Sequence, residues 1–128
     1  MELLKLEIVT PNGVIFDGDV AQVTLPGSEG EFGVLPRHAS LVTLLDVGVI
    51  TIKKADGKEM SVAINSGYVK VEEDKTTCIV DGAVALEGEG NELAKAISEA
   101  KELLQSAQTS ETAIATAIGK VEQVAKTL

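Results

Sequence analysis

Hydrophobic and polar positions alternate in short runs along the first two thirds of the chain. Leu4, Leu6 and Ile8 lie on one side of the first run, with Lys5 and Glu7 on the other, which is the period of a half-buried strand. Similar runs cover residues 13–17, 19–25, 40–45, 49–53, 59–64, 68–72 and 76–80. Turn-forming residues separate them, and no helix-length pattern intervenes. About ten short strands arranged in this way predict an N-terminal antiparallel β-sandwich.

Beyond residue 85 the hydrophobic period becomes helical. Gly88 and Gly90 form a predicted flexible hinge before Asn91, a candidate helix N-cap, and Thr109–Ser110 can cap a second helix. The two apolar stripes are Leu93, Ala96, Ile97, Ala100, Leu103, Leu104 and Ala107, then Ile114, Ala117, Ile118, Val121, Val124, Ala125 and Leu128. The prediction is an α+β fold: a sandwich domain over residues 1–86 and a two-helix antiparallel hairpin over residues 87–128.

The hairpin needs a surface to cover its apolar stripes, because two helices alone enclose no interior. That surface is either the sandwich or another protein, and the sequence leaves both alternatives open. Alanine occupies five of the fourteen stripe positions, which lets helices approach closely but limits the apolar area that holds them. Detachment of the hairpin is therefore expected to cost little.

Composition narrows the classes of function. The net charge of −9 and an aromatic content of 2% argue against nucleic-acid binding. The single cysteine excludes an internal disulfide and fits a reducing compartment. The N-terminus lacks the features of a signal peptide, and no apolar run approaches the roughly 20 residues that span a bilayer. We therefore expect a protein of the cytosol or of a membrane's cytosolic face.

The segment Leu25–Ala39 concentrates glycine, proline and the chain's only arginine and histidine. Its glycine spacing does not match a dinucleotide or phosphate loop, and the carboxylates of Glu29 and Glu31 would repel phosphate. A catalytic role for His38 is disfavoured, because Cys78 lies in another predicted strand and no second histidine exists. The segment is therefore interpreted as a rigid protein-docking loop, without catalytic residues, metal site or cofactor.

The residues Val9–Gly18 and Leu25–Ala39 together resemble the ε subunit family of F-type ATP synthases. The resemblance implies a non-catalytic rotor subunit of a proton-translocating synthase, at the cytoplasmic face of the bacterial inner membrane and touching the membrane only through the complex. It implies a sandwich that binds the γ subunit and rests on the c-ring. It also implies a hairpin that either folds on the sandwich or extends into the α/β catalytic head and blocks ATP hydrolysis.

The resemblance assigns roles to particular positions. Ser28, Glu29, Gly30 and Glu31 match the loop that faces the c-ring, and His38 matches a position that faces γ.

An alternative is an ATP-sensing switch in which the hairpin closes on nucleotide. Some relatives bind ATP through a helix-start motif, Ile/Leu-Asp-x-x-Arg-Ala. Here the corresponding run is Asn91–Ala96, so Glu92 and Lys95 would carry a weak nucleotide site. Lysine does not replace arginine in bidentate phosphate recognition, which disfavours this alternative.

Overall fold

The computed structural model describes residues 2–107 and 109–127, with side chains up to residue 124. Nine strands and two helices occur in this part, which confirms the predicted sandwich followed by a helical hairpin. The strands are β1 (Leu4–Thr10), β2 (Gly13–Gly27), β3 (Gly30–Val34), β4 (Leu41–Leu45), β5 (Gly48–Lys54), β6 (Glu59–Ile64), β7 (Gly67–Val71), β8 (Lys75–Val80) and β9 (Ala83–Leu86). The helices are α1 (Asn91–Gln105) and α2 (Glu111–Thr127), and the predicted stripe side chains of Ala125 and Leu128 lie outside the described residues.

The long strand β2 joins the two layers of the sandwich. It pairs with β1 along its first half and with β3 and β5 along its second half. Neighbouring strands of the sheet follow the order β1-β8-β7-β4-β2-β5-β6-β9, and β3 pairs with β2 off this path. The alternation predicted two strands separated by Gly18, which is wrong. Gly18 lies opposite Leu6 in the ladder, so the strand continues through it.

Three further details differ from the sequence prediction. The predicted docking loop contains the strand β3. Because β3 pairs with the end of β2, the first half of the predicted loop is a β-hairpin. The strand β9 follows the predicted series and pairs with β6. The strands β1 and β8 run parallel, although the other pairs given above for the sandwich are antiparallel.

Two apolar clusters hold the molecule together. The inner cluster lies between the layers and is aliphatic, as the low aromatic content predicts; Leu6, Ile52 and Val62 are fully buried in it. The second cluster lies outside the sandwich, where Val47, Val49, Ala63 and Leu86 form a surface that we call the covered face. Ala100, Leu104, Ala117 and Val121 of the hairpin are buried against it. In this structure the hairpin therefore rests on the sandwich, which is one of the two surfaces that the sequence left open.

Candidate docking sites

Ser28 and Glu29 form the exposed turn between β2 and β3, and Gly30 and Glu31 are the first, exposed residues of β3; we call Ser28–Glu31 the acidic turn. Gly27 and Gly30 are register partners across the hairpin, and Gly30 has φ +130°, a conformation that favours glycine. The Ser28 amide donates a hydrogen bond to the carbonyl of Leu44 at 2.9 Å, which anchors the turn to β4. The structure thus brings the four predicted residues together in a fixed, solvent-facing position.

Glu31 of the acidic turn also contacts the hairpin. The Lys120 ammonium on α2 donates a hydrogen bond to the Glu31 carboxylate, and the two side chains are 42% and 48% exposed. A second ion pair joins the helices, with 3.2 Å between Lys101 Nζ and Glu122 Oε1. Sequence reasoning missed the first pair because its partners are 89 residues apart.

His38 lies at the other end of β3, in the connection to β4. Its Nδ1 is 2.6 Å from the carbonyl oxygen of Ala39, and its side chain is half-buried. The preceding residue, Arg37, has φ 67°, and its guanidinium lies 2.8 Å from the carboxylate of Glu2. Since β3 contributes roughly 13 Å of extended chain, His38 and the acidic turn are separate surface features.

A third surface feature, the open face, consists of four exposed apolar side chains on the outside of β4, β7 and β8. They are Val42 (67% exposed), Leu44 (65%), Tyr68 (42%) and Ile79 (39%). Leu44 lies opposite Tyr68, and Tyr68 lies opposite Ile79, so these three form a row across the strands. Sequence reasoning did not single them out. The sequence signal for the open face was the run Leu41–Leu45, in which apolar residues occur on both sides of the strand.

The hinge glycines lie in an exposed linker between β9 and α1. Gly88 has φ 101° and Gly90 has φ 59°, so other residues would be strained at both positions. The predicted N-cap was wrong. Gly90, not Asn91, occupies the N-cap position of α1, without a side-chain cap. The linker turn instead closes through a backbone hydrogen bond from the Glu92 amide to the Glu89 carbonyl at 3.3 Å. Flexibility of this linker stays a prediction.

Glu92 and Lys95 are both exposed and lie in the first turns of α1. Their spacing of three residues puts them on one side of the helix. The Glu92 side chain lies close over Gly88, where an added Cβ would be 3.1 Å from the Glu92 Cβ. Nucleotide binding at this position stays a prediction.

Cys78 occupies the inner cluster, as predicted for a core strand position. Burial raises the pKa of its thiol to about 12, so the nucleophilic thiolate is suppressed at neutral pH. This burial removes the chain's one thiol from candidate chemistry.

The fold is that of an α+β protein whose helical hairpin packs on a two-layer sandwich. Residues 3–86 match the family model described as ATP synthase, Delta/Epsilon chain, beta-sandwich domain. The ATP synthase epsilon chain of Sulfurovum sp. is 75% identical and that of Nitratiruptor sp. is 56% identical, each over 98% of both chains. A chain in the cryo-EM structure of the Euglena gracilis mitochondrial ATP synthase (OSCP/F1/c-ring, rotational state 1) is similar with a TM-score of 0.63. It is 28% identical, over 94% of this chain and 73% of that chain.

The chain therefore belongs to the ATP synthase epsilon chain family, as the resemblance of its loop residues predicts. Membership makes it a non-catalytic accessory subunit of the rotary synthase. Among the described residues, no helix has the length and apolar character to cross a bilayer.

Proposed function

We propose that this chain is a rotor subunit that couples the c-ring to γ in a proton-translocating synthase and inhibits ATP hydrolysis through its hairpin. Its place is the cytoplasmic face of the bacterial inner membrane, where it touches the membrane only through the complex. Family membership supports the assignment of the chain to the synthase complex. The surfaces of the sandwich support the proposed contacts with γ and the c-ring.

The proposal that the sandwich binds γ is based on the open face. Val42 and Leu44 are about two-thirds exposed, although apolar side chains of this size are mostly buried. The buried centre of a protein interface is more apolar than the rest of the surface, and tyrosine is enriched there. His38 precedes Val42 by four positions on the connection into β4, which supports its assignment to the same partner.

The acidic turn is the proposed contact with the c-ring. Its residues are exposed, and backbone hydrogen bonds hold the turn at one end of the sandwich. A fixed turn loses little conformational entropy on binding, and its carboxylates favour a partner loop with polar or basic groups.

The hairpin is the proposed inhibitory element, and residues 1–86 and 87–128 are the proposed domains. The hairpin buries small side chains such as Ala100 and Ala117, and glycines connect it to β9. A contact of this kind is weak enough to open, so the hairpin would leave the sandwich and extend into the α/β catalytic head.

Binding of the full chain to purified γ, measured by calorimetry, tests the proposal. We expect a one-to-one complex, whereas a folded chain that fails to bind γ would contradict it. Deletion of residues 88–128 should raise ATP hydrolysis by the assembled synthase. Unchanged hydrolysis would contradict inhibition while leaving the coupling role intact.

A further inference from the structure

The ion pair between Glu31 and Lys120 connects two surfaces with different proposed roles. Glu31 belongs to the acidic turn, and Lys120 lies on α2 of the docked hairpin. Both side chains remain nearly half exposed, so a partner that approaches the acidic turn can reach the Glu31 carboxylate. The same carboxylate is therefore available to the hairpin and to a partner of the sandwich.

The surroundings of Lys120 are acidic on the side of the sandwich. One cleft beside it, about 300 Å³ in volume, is also lined by Glu31 and Glu59. A smaller cleft of about 200 Å³, which Lys120 also lines, is lined by Glu31 and Asp46. Lys120 is the basic residue in both clefts. When the hairpin leaves, Glu31 loses its ion-pair partner, and Glu59 and Asp46 lose the basic residue of the cleft that each of them lines.

The apolar contact of α2 surrounds Lys120 in sequence. Among the described side chains of α2, Ala117 and Val121 are buried in the second cluster, and Ala113, Ile114, Ile118 and Val124 pack against it while partly buried. Only two of these side chains are fully buried, and the ion pair of Lys120 adds to their contact, so the charge contributes to the docking equilibrium. A change of charge at Glu31 is therefore expected to alter the docked population.

We propose that Glu31 links the two contacts: it holds Lys120 when the hairpin is docked, and it binds a cationic side chain of the partner that occupies the acidic turn. The partner half rests on the proposed function, in which that partner is the c-ring. A cation at Glu31 neutralises the carboxylate and repels Lys120, so partner binding weakens hairpin docking. Linkage requires that hairpin docking weaken partner binding by the same factor.

The solvent exposure of Glu31 and Lys120 limits how strongly hairpin docking and partner binding can affect each other. Partly exposed ion pairs change an equilibrium constant by about twofold and at most about fivefold. The pair therefore biases the position of the hairpin and does not lock it. Screening by salt should reduce the bias, because both side chains are in contact with solvent.

Hydrogen exchange of the α2 amides in the full chain tests the intramolecular half. Glu31→Gln should speed this exchange by about two- to fivefold at low salt. Glu29→Gln is the matched control, because Glu29 lies in the same turn and forms no ion pair among the described residues. Lys120→Gln should match Glu31→Gln without adding to it, and Lys120→Arg should restore slow exchange. Equal exchange in Glu31→Gln and Glu29→Gln would overturn the proposal.

Affinity for a purified γ–c-ring subcomplex tests the partner half. Lys120→Gln should tighten binding by about two- to fivefold, and this gain should vanish in the double variant with Glu31→Gln. Unchanged affinity of Lys120→Gln, with the wild-type chain binding normally, would overturn the linkage. If the wild-type chain does not bind the subcomplex, the proposed function fails and the partner half fails with it. The exchange experiment still decides whether Glu31 holds the hairpin.

Discussion

The covered face and the open face are both apolar outer surfaces of the same sandwich, and they differ in what lies against them. The covered face is buried by the hairpin, whereas Val42 and Leu44 on the open face remain about two-thirds exposed. An exposed apolar patch on a folded chain is a mark of a protein-binding surface. The chain thus covers one of these surfaces itself, and under the proposed function the other is available to a partner.

The side chains on the two faces differ in size. The covered face includes Ala63 and meets Ala100 and Ala117 of the hairpin, which lets the helices lie close to the strands. The open face presents Leu44 and Tyr68, which are larger, and tyrosine is enriched at energetically important interface positions. A small-residue contact suits reversible docking within the chain, and a large-residue surface suits a stable contact between chains.

The largest expected effect comes from a charge on the covered face. Val49→Asp would place a carboxylate at a position that is 3% exposed, in a cleft that already contains Glu31 and Glu59. Lys120, the basic residue of this cleft, already pairs with Glu31, so the added buried carboxylate costs about 3 kcal/mol or more, and we expect the hairpin to undock and hydrogen exchange in both helices to become fast.

Two controls accompany this substitution. Val42→Asp, on the open face, should change the free energy of unfolding by less than about 0.5 kcal/mol and leave helix exchange slow. Cys78 should stay unreactive toward iodoacetamide at pH 8 in both variants, because its pKa of about 12 reflects burial in the inner cluster. Cys78 labelling in the Val49→Asp variant would show that the sandwich had unfolded, which contradicts independent undocking.

Truncation of the hairpin side should have a smaller effect. Leu104 is fully buried against the covered face, and Leu104→Ala should weaken docking by about 2 kcal/mol, near the lower limit for such truncations. The reason is that a partly open contact relaxes around the lost side chain. Hydrogen exchange should quicken in α1 and α2 and remain slow in β6; equal acceleration in β6 would contradict a separable hairpin.

The cap of α2 tests how much of the docked state depends on local helix structure. The Ser110 hydroxyl accepts a hydrogen bond from the Ala113 amide at 3.1 Å, which confirms the predicted cap. Ser110→Ala should cost about 1 kcal/mol and quicken exchange in the first turn of α2. Ser110→Asp should retain the cap, and equal losses in both variants would contradict this explanation.

The smallest expected effect is an increase in the free energy of unfolding, and it comes from a substitution that lies outside both faces. Arg37 has φ 67°, which is unfavourable for residues with a Cβ, and its contact with Glu2 is largely exposed. Arg37→Gly should raise the free energy of unfolding in urea by about 0.5 kcal/mol, since glycine's greater chain entropy offsets part of the relief. Arg37→Ala keeps the strain and should give no gain.

The local features of the chain were largely predictable from its sequence. Alternation located most strands, the helical period located both helices, and Ser110 was recognised as a cap. Gly18 misled the strand prediction because its backbone still fits the ladder. Asn91 misled the cap prediction because Gly90 turns the chain into the helix with backbone hydrogen bonds alone.

The features that depend on packing could not be predicted in this way. Strand patterns identify two apolar sides but do not reveal which side another element covers, so the open face emerged only from the structure. The pair of Glu31 and Lys120 was equally inaccessible, because only the docking of α2 brings its members together. The residue roles that came from the family resemblance, such as that of His38, stay predictions.

The affinity of γ for paired variants of the two faces tests the central claim most directly. Leu44→Asp on the open face should weaken γ binding at least about tenfold, which corresponds to about 1.4 kcal/mol. Val49→Asp, on the covered face, should leave γ affinity within about twofold of the wild type. Retained γ binding by Leu44→Asp, or loss of γ binding by a folded Val49→Asp variant, would contradict the assignment of the open face to γ.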